Sequence, residues 1–213
     1  MSREADPASP LGVILAGGHN TRYHGKPKAL EPVAGELIAV RAIRAMRDAA
    51  DRVVLVANEP EIYRPLRLEM RPDARPGLGA LGGIYTAVLW AEDAGRRGAL
   101  VAACDMPFLS AGLLRRLAEG AQADEVIAPG SDSRRGLEPL CAFYGIDCRG
   151  PIEAAIARND RRVISFYDDV NVRVLPTEEV ASYGDPSVLF MNVNRPADRQ
   201  RAEALAVEEG EGR

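Results

Sequence analysis

Short β-rich runs alternate with amphipathic stretches along most of this chain, and that alternation limits its fold more than any other feature. The runs cover residues 11–15, 53–57, 99–103, 125–128, 140–144 and 163–167. Helical patterns fill residues 37–49, 83–94, 111–121 and 151–158 between them. A last helix is expected from Pro196 to about residue 206, proline being favourable in a first helical turn. Runs that are apolar on both faces, separated by helices, predict an α/β three-layer sandwich with a Rossmann-like, mostly parallel sheet. The second half is less regular, so an antiparallel or mixed portion is expected there. With 213 residues the chain can bury one substantial core. One domain over residues 1–213, ordered from about 11 to 206, is therefore expected.

The first run, Leu11 to Leu15, empties into Ala16-Gly17-Gly18-His19-Asn20-Thr21-Arg22, followed by Gly25-Lys26-Pro27-Lys28. Gly17 and Gly18 carry no Cβ and let the backbone approach a ligand closely. Amides freed by such a turn donate to phosphate oxygens, and Arg22 and Lys28 supply charge. An ordinary strand-to-helix turn is the commoner use of a glycine pair. The clustering of Arg22, Lys26 and Lys28 directly after this one singles it out as a triphosphate cradle. A Walker loop is excluded because Gly25-Lys26 is followed by Pro27 and position 20 is Asn20. The dinucleotide fingerprint is excluded because no glycine follows Gly17-Gly18 until Gly25.

In parallel α/β folds ligands sit outside the carboxyl ends of the strands. That rule sets the loops after Leu15, Ala57 and Ala103 on one rim. Asn58 can read a base edge or a ribose, or serve as a turn residue before Glu59-Pro60. Asp73 is likewise a turn former or a ligand-reading carboxylate. The stretch from Arg75 to Gly83 holds four glycines before a helix and suits a loop that wraps a planar base. Asp105, at the end of the third run with Pro107 turning the chain away, is placed to bind magnesium or to cap its turn. Arg22 and Lys28 across the same rim favour the metal role.

Several classes are excluded. A net charge of −4 argues against a general nucleic-acid binder. No apolar run approaches a membrane span, and residues 1–10 lack a signal-peptide apolar region, so no membrane partner is expected. Three cysteines, Cys104, Cys141 and Cys148, are too few and irregular for a disulfide framework or a zinc site, which predicts a reducing cytoplasm. Cys104 reads as a core residue. The two histidines, His19 and His24, read as solvated loop residues, leaving no histidine for a hydrolytic triad elsewhere.

The segment Leu15-Ala16-Gly17-Gly18-x-x-x-Arg22 with Gly25-x-Pro27-Lys28 resembles the signature loop of the nucleotidyltransferases that activate sugars and cofactors. Within that superfamily the chain is most similar to the molybdenum cofactor guanylyltransferases, from about Leu11 to Leu205. The resemblance includes Val56-Ala57-Asn58, residues 79–83, Cys104-Asp105-Met106-Pro107-Phe108, residues 138–142, Arg161-Arg162-Val163 and Asn192-Val193-Asn194-Arg195-Pro196. It implies that Leu15, Ala16 and Gly17, beside Gly18, contact GTP through their backbone. It also implies Lys28 on the phosphates, Asn58 and Asp73 on the nucleoside, and Asp105 on both GTP and magnesium. Asn192 and Asn194 match a segment on the pterin side. The chain departs from the family at Arg22-Tyr23-His24, where Arg-Met-Gly is usual, and at Gly79-Ala80-Leu81, where Gly-Pro-Leu is usual.

The implied reaction is attack by the terminal phosphate of molybdopterin on the α-phosphorus of GTP, with pyrophosphate leaving. A phosphate nucleophile needs no base, so the work of Arg22, Lys28 and Asp105 is alignment and charge stabilisation. Molybdoenzymes or cofactor-delivery proteins are implied downstream partners. The alternatives are CTP with molybdopterin, an NTP with a sugar phosphate, and a non-catalytic nucleotide-binding adaptor.

Overall fold

The computed structural model describes residues 9–16 and 27–211, with side chains as far as residue 207. The strands are β1 (Leu11–Leu15), β2 (Pro32–Val33), β3 (Glu36–Leu37), β4 (Val53–Val56), β5 (Glu69–Arg71), β6 (Gly98–Ala103), β7 (Glu125–Pro129), β8 (Cys141–Gly145) and β9 (Asn171–Leu175). The helices are α1 (Ile38–Arg47), α2 (Pro60–Tyr63), α3 (Ala80–Asp93), α4 (Ala111–Ala118), α5 (Arg149–Ala157), α6 (Thr177–Ala181), α7 (Pro186–Leu189) and α8 (Pro196–Glu211).

Seven strands form the main sheet in the order β5-β4-β1-β6-β8-β7-β9, and β2-β3 is a small separate hairpin. All neighbours in the main sheet are parallel except β8, which runs antiparallel to both β6 and β7. This is the mixed, mostly parallel sheet the alternation predicts, with its reversal in the second half.

Alternate residues of each strand face opposite layers. In β1, Leu11, Val13 and Leu15 join Val54, Val56, Val101 and Tyr144 beneath α3 and α5. On the other face, Ile14, Leu55, Leu100 and Phe143 pack against α1 and α4 through Ile43, Met46, Leu113 and Leu117. Gly12 lets α1 lie close, since a Cβ there would meet Met46 Cγ at 2.8 Å. A third cluster joins Val33, Ile38 and Phe108 to Met191, Val193, Ala202 and Ala206. It pins the segment before α8 across the end of the sheet.

The expected strand at residues 163–167 is not one. That stretch is a run of turns leading into a 3-10 turn, Tyr167–Asp169, and the outer strand is β9. Val163 and Phe166 are apolar because they are buried under α3 and α5, not because they join a ladder. The polar edge strands β5 and β9 carry no apolar run. A strand paired on one side can keep residues such as Glu69, Arg71, Asn171 and Arg173. Helix α3 also starts before residue 83, so Gly82 and Gly83 belong to the helix rather than to a flexible connector. Gly83 allows close contact with β1, where a Cβ would meet Leu15 Cδ1 at 3.2 Å.

Candidate active site at the carboxyl rim

Strand β1 pairs with β4 on one side and β6 on the other, so the chain order reverses about its carboxyl end. At such a point the loops diverge and leave a crevice. A cleft of about 340 Å3 opens there, lined by Leu15, Ala16, Lys28, Asp73, Asp105 and Asn192 among others. Ala16 donates to Val56 O at 2.9 Å and Cys104 donates to Leu15 O at 3.0 Å, so the cleft floor is held by the sheet itself.

Asp105 follows β6 and is half-buried. Burial pushes its carboxyl above the ordinary carboxylate range, opposed by a backbone hydrogen bond and by the ammonium of Lys28. Its carbonyl accepts from Val193 N at 3.0 Å. That bond brings the C-terminal segment over the rim, with Asn192 and Asn194 on either side of the tie. Lys28, at the start of a 3-10 turn, donates from Nζ to Asn194 Oδ1 at 3.3 Å. Asp198, in the first turn of α8, accepts from Asn194 N at 2.9 Å and Arg195 N at 2.7 Å, which holds this segment in place.

On the β4 side, Asn58 and Asp73 bind reciprocally. Asn58 Nδ2 donates to Asp73 Oδ2 at 2.8 Å, and Asp73 N donates to Asn58 Oδ1 at 2.8 Å. Asp73 Oδ1 is buried with no hydrogen-bond partner among the described residues. Asp73 itself lines the cleft, and an unpartnered acceptor on a lining residue is one that a ligand donor would satisfy. Asn58 is exposed and does not line the cleft; it holds the residue that does. The start of α3, at Gly79, Ala80 and Gly83, forms the adjoining wall, and Gly79 takes φ 59° at the N-cap.

Of the sequence-derived candidates, Leu15, Ala16, Lys28, Asp73, Asp105, Asn192 and Asn194 meet in this cleft. Arg22, Gly17 and Gly18 lie outside the described residues, as do His19 and His24. Cys104 lines the cleft, but burial raises its thiol far above the ordinary range and the neighbouring Asp105 raises it further. It stays protonated and is no nucleophile.

The sequence profile of the MobA-like NTP transferase domain matches residues 12–172. The chain belongs to this family. A probable molybdenum cofactor guanylyltransferase of Pelotomaculum thermopropionicum is 35% identical over 204 residues, covering 95% of this chain and 96% of that protein. A molybdenum cofactor guanylyltransferase of Desulfosudis oleivorans is 29% identical over 194 residues, covering 91% and 94%. Among solved structures, molybdopterin-guanine dinucleotide biosynthesis protein A from Archaeoglobus fulgidus superposes with a TM-score of 0.74 at 25% identity, covering 93% of this chain and 99% of that one.

Within this MobA-like protein one further carboxylate lies at the rim. Glu138 precedes β8, whose antiparallel course turns its amino end toward the carboxyl end of β6; Ala102 pairs with Cys141, and Ala103 donates to Leu140 O at 2.9 Å. Burial raises the Glu138 carboxyl; the hydrogen bond from Leu140 N and the charge of Arg135 oppose this, and the charge of Asp105 adds to it more weakly. The motif around Glu138 was visible in the sequence, but its place at the same rim as Asp105 follows from the strand reversal. Among the described residues no three His, Cys, Asp or Glu side chains group as a self-sufficient metal cage. Carboxylates that do not close a cage of their own suit a hard ion that takes its remaining oxygens from elsewhere.

Proposed function

We propose that this protein transfers GMP from GTP to the phosphate of molybdopterin, releasing pyrophosphate, in the reducing cytoplasm. The observation that carries this reading is the desolvated carboxylate of Asp105 opposite Lys28 in one cleft, in a chain whose relatives are named molybdenum cofactor guanylyltransferases. Three unpaired, buried cysteines support the compartment.

Asp105 is the residue that would hold magnesium, and the ion would supply charge neutralisation on bridging phosphate oxygens. Asp73, with Oδ1 unpartnered, takes a donor of the nucleoside, and Asn58 keeps it aimed. Leu15 and Ala16 shape the floor on which the triphosphate lies. Lys28 neutralises charge on the leaving pyrophosphate, together with Arg22. Asn192 and Asn194 face the acceptor side. The attacking phosphate is already ionised near neutral pH, so no residue has to remove a proton.

A nucleotide panel tests the assignment. With purified protein, magnesium and molybdopterin, pyrophosphate release is expected with GTP and should fall roughly ten-fold or more with CTP, the scale of a few misplaced hydrogen bonds. Equal or faster release with CTP would make it a cytidylyltransferase. Tight GTP binding without any release would make it an adaptor.

A further inference from the structure

We infer that Glu138 is the specificity-determining carboxylate for the acceptor's pterin ring; this rests on the guanylyltransferase reading above. A second pocket of about 280 Å3 adjoins the cleft, lined by Ser131, Ser133, Glu138, Phe190 and Asn192 among others. Asn192 lines both cavities, so they are neighbours that share one wall residue.

Glu138 is fixed there by its backbone. Its amide donates to Pro129 O at 3.0 Å, and its Oε1 accepts from Leu140 N at 2.9 Å. Oε2 has no hydrogen-bond partner among the described residues. Asp132 also lines the pocket, but it is exposed, whereas Glu138 is half-buried. A desolvated, immobile carboxylate with a free oxygen seeks paired N–H donors. The aminopyrimidinone edge of a pterin presents two adjacent N–H donors, much as a guanidinium does. The half-buried Phe190 offers a flat apolar surface for the fused rings.

Guanine carries the same edge, so the two sources must be separated. Sheet order separates them: Asp73 follows β5, Asp105 follows β6 and Glu138 precedes β8, in the sequence β5-β4-β1-β6-β8. Three strand spacings of about 4.8 Å put the exits of β5 and β6 roughly 14 Å apart, whereas β6 and β8 are neighbours. Asp73 therefore serves the nucleoside on one side of the reacting phosphates and Glu138 the pterin on the other.

The test pairs a ring comparison with a variant. In wild-type protein, 6-hydroxymethylpterin should compete with molybdopterin at least about ten-fold better than the matching lumazine, whose 2-oxo group replaces the 2-amino donor. Glu138→Gln should raise the KM for molybdopterin about 10- to 100-fold and level the pterin–lumazine difference. Its KM for GTP and its preference for GTP over ITP should stay within about two-fold, because Asp73 is untouched. Equal competition by the two rings in wild type overturns the inference, even if Glu138→Gln does not fold. An unchanged acceptor KM, or an equal rise in the GTP KM, overturns it as well. Wild-type transfer to molybdopterin without ring discrimination refutes Glu138 alone; no transfer at all refutes the guanylyltransferase reading and this inference together.

Discussion

Asp105 and the Asn58–Asp73 pair illustrate how single side chains are held at a cost to the fold. The Asp105 carboxyl lies above its ordinary value of 3.8 because burial penalises the charge. Between that value and the raised one, the folded protein keeps a proton that the unfolded chain has lost, so stability falls as pH rises through that window. The buried charge is thus a liability to the fold, one that a bound cation would relieve. Asp105→Asn should reduce transfer by about a thousand-fold or more. The same substitution should raise the Tm of the free protein, because it removes a buried charge. Kinetics and thermal melts on one preparation check both; a lower Tm with activity retained would remove Asp105 from the metal role. For Asn58→Ala, loss of the reciprocal bonds to Asp73 should raise the KM for GTP roughly ten-fold with little change in kcat.

At the scale of elements, β8 decides the site. It enters the sheet against the direction of its neighbours, and two glycines make room for it. Gly98 pairs with Gly145, and a Cβ on Gly98 would strike the Phe143 ring, while one on Gly145 would strike the backbone of Ala123. Backbone cannot move aside as a flexible side chain can. Gly145→Ala should therefore cost about 3 kcal/mol, measured by urea denaturation, and should weaken activity only through the folded fraction. The inner strands were legible because residues buried on both faces must be continuously apolar, and the five longer helices, α8 from Pro196 included, were legible from their patterning and the proline start. The edges were not legible: β5 and β9 carry charged residues that an edge tolerates, and the apolar stretch at 163–167 owes its character to packing under helices.

At the scale of the whole molecule, the two cores on either face share one sheet, and the third cluster ties α8 to the β2–β3 hairpin and to Phe108. No layer can lose its partner without exposing strand faces on the other side. Calorimetry is expected to show a single unfolding transition, with calorimetric and van't Hoff enthalpies in agreement; two resolved transitions would divide the chain into separate folding units. The sequence by itself determined the α/β class, the rim after Leu15, Ala57 and Ala103, and the candidates Lys28, Asp73 and Asp105, because strand periodicity and chain-order rules are local. It could not determine which residues face one another across that rim. The bond from Val193 to the Asp105 carbonyl, the contact of Lys28 with Asn194 and the arrival of Glu138 at the rim that carries Asp105 join positions far apart in the chain. Those encounters were decided only by tertiary structure, through the reversal of β8 and the anchoring of α8, since apolar patterning sets which face is buried but not which loops meet.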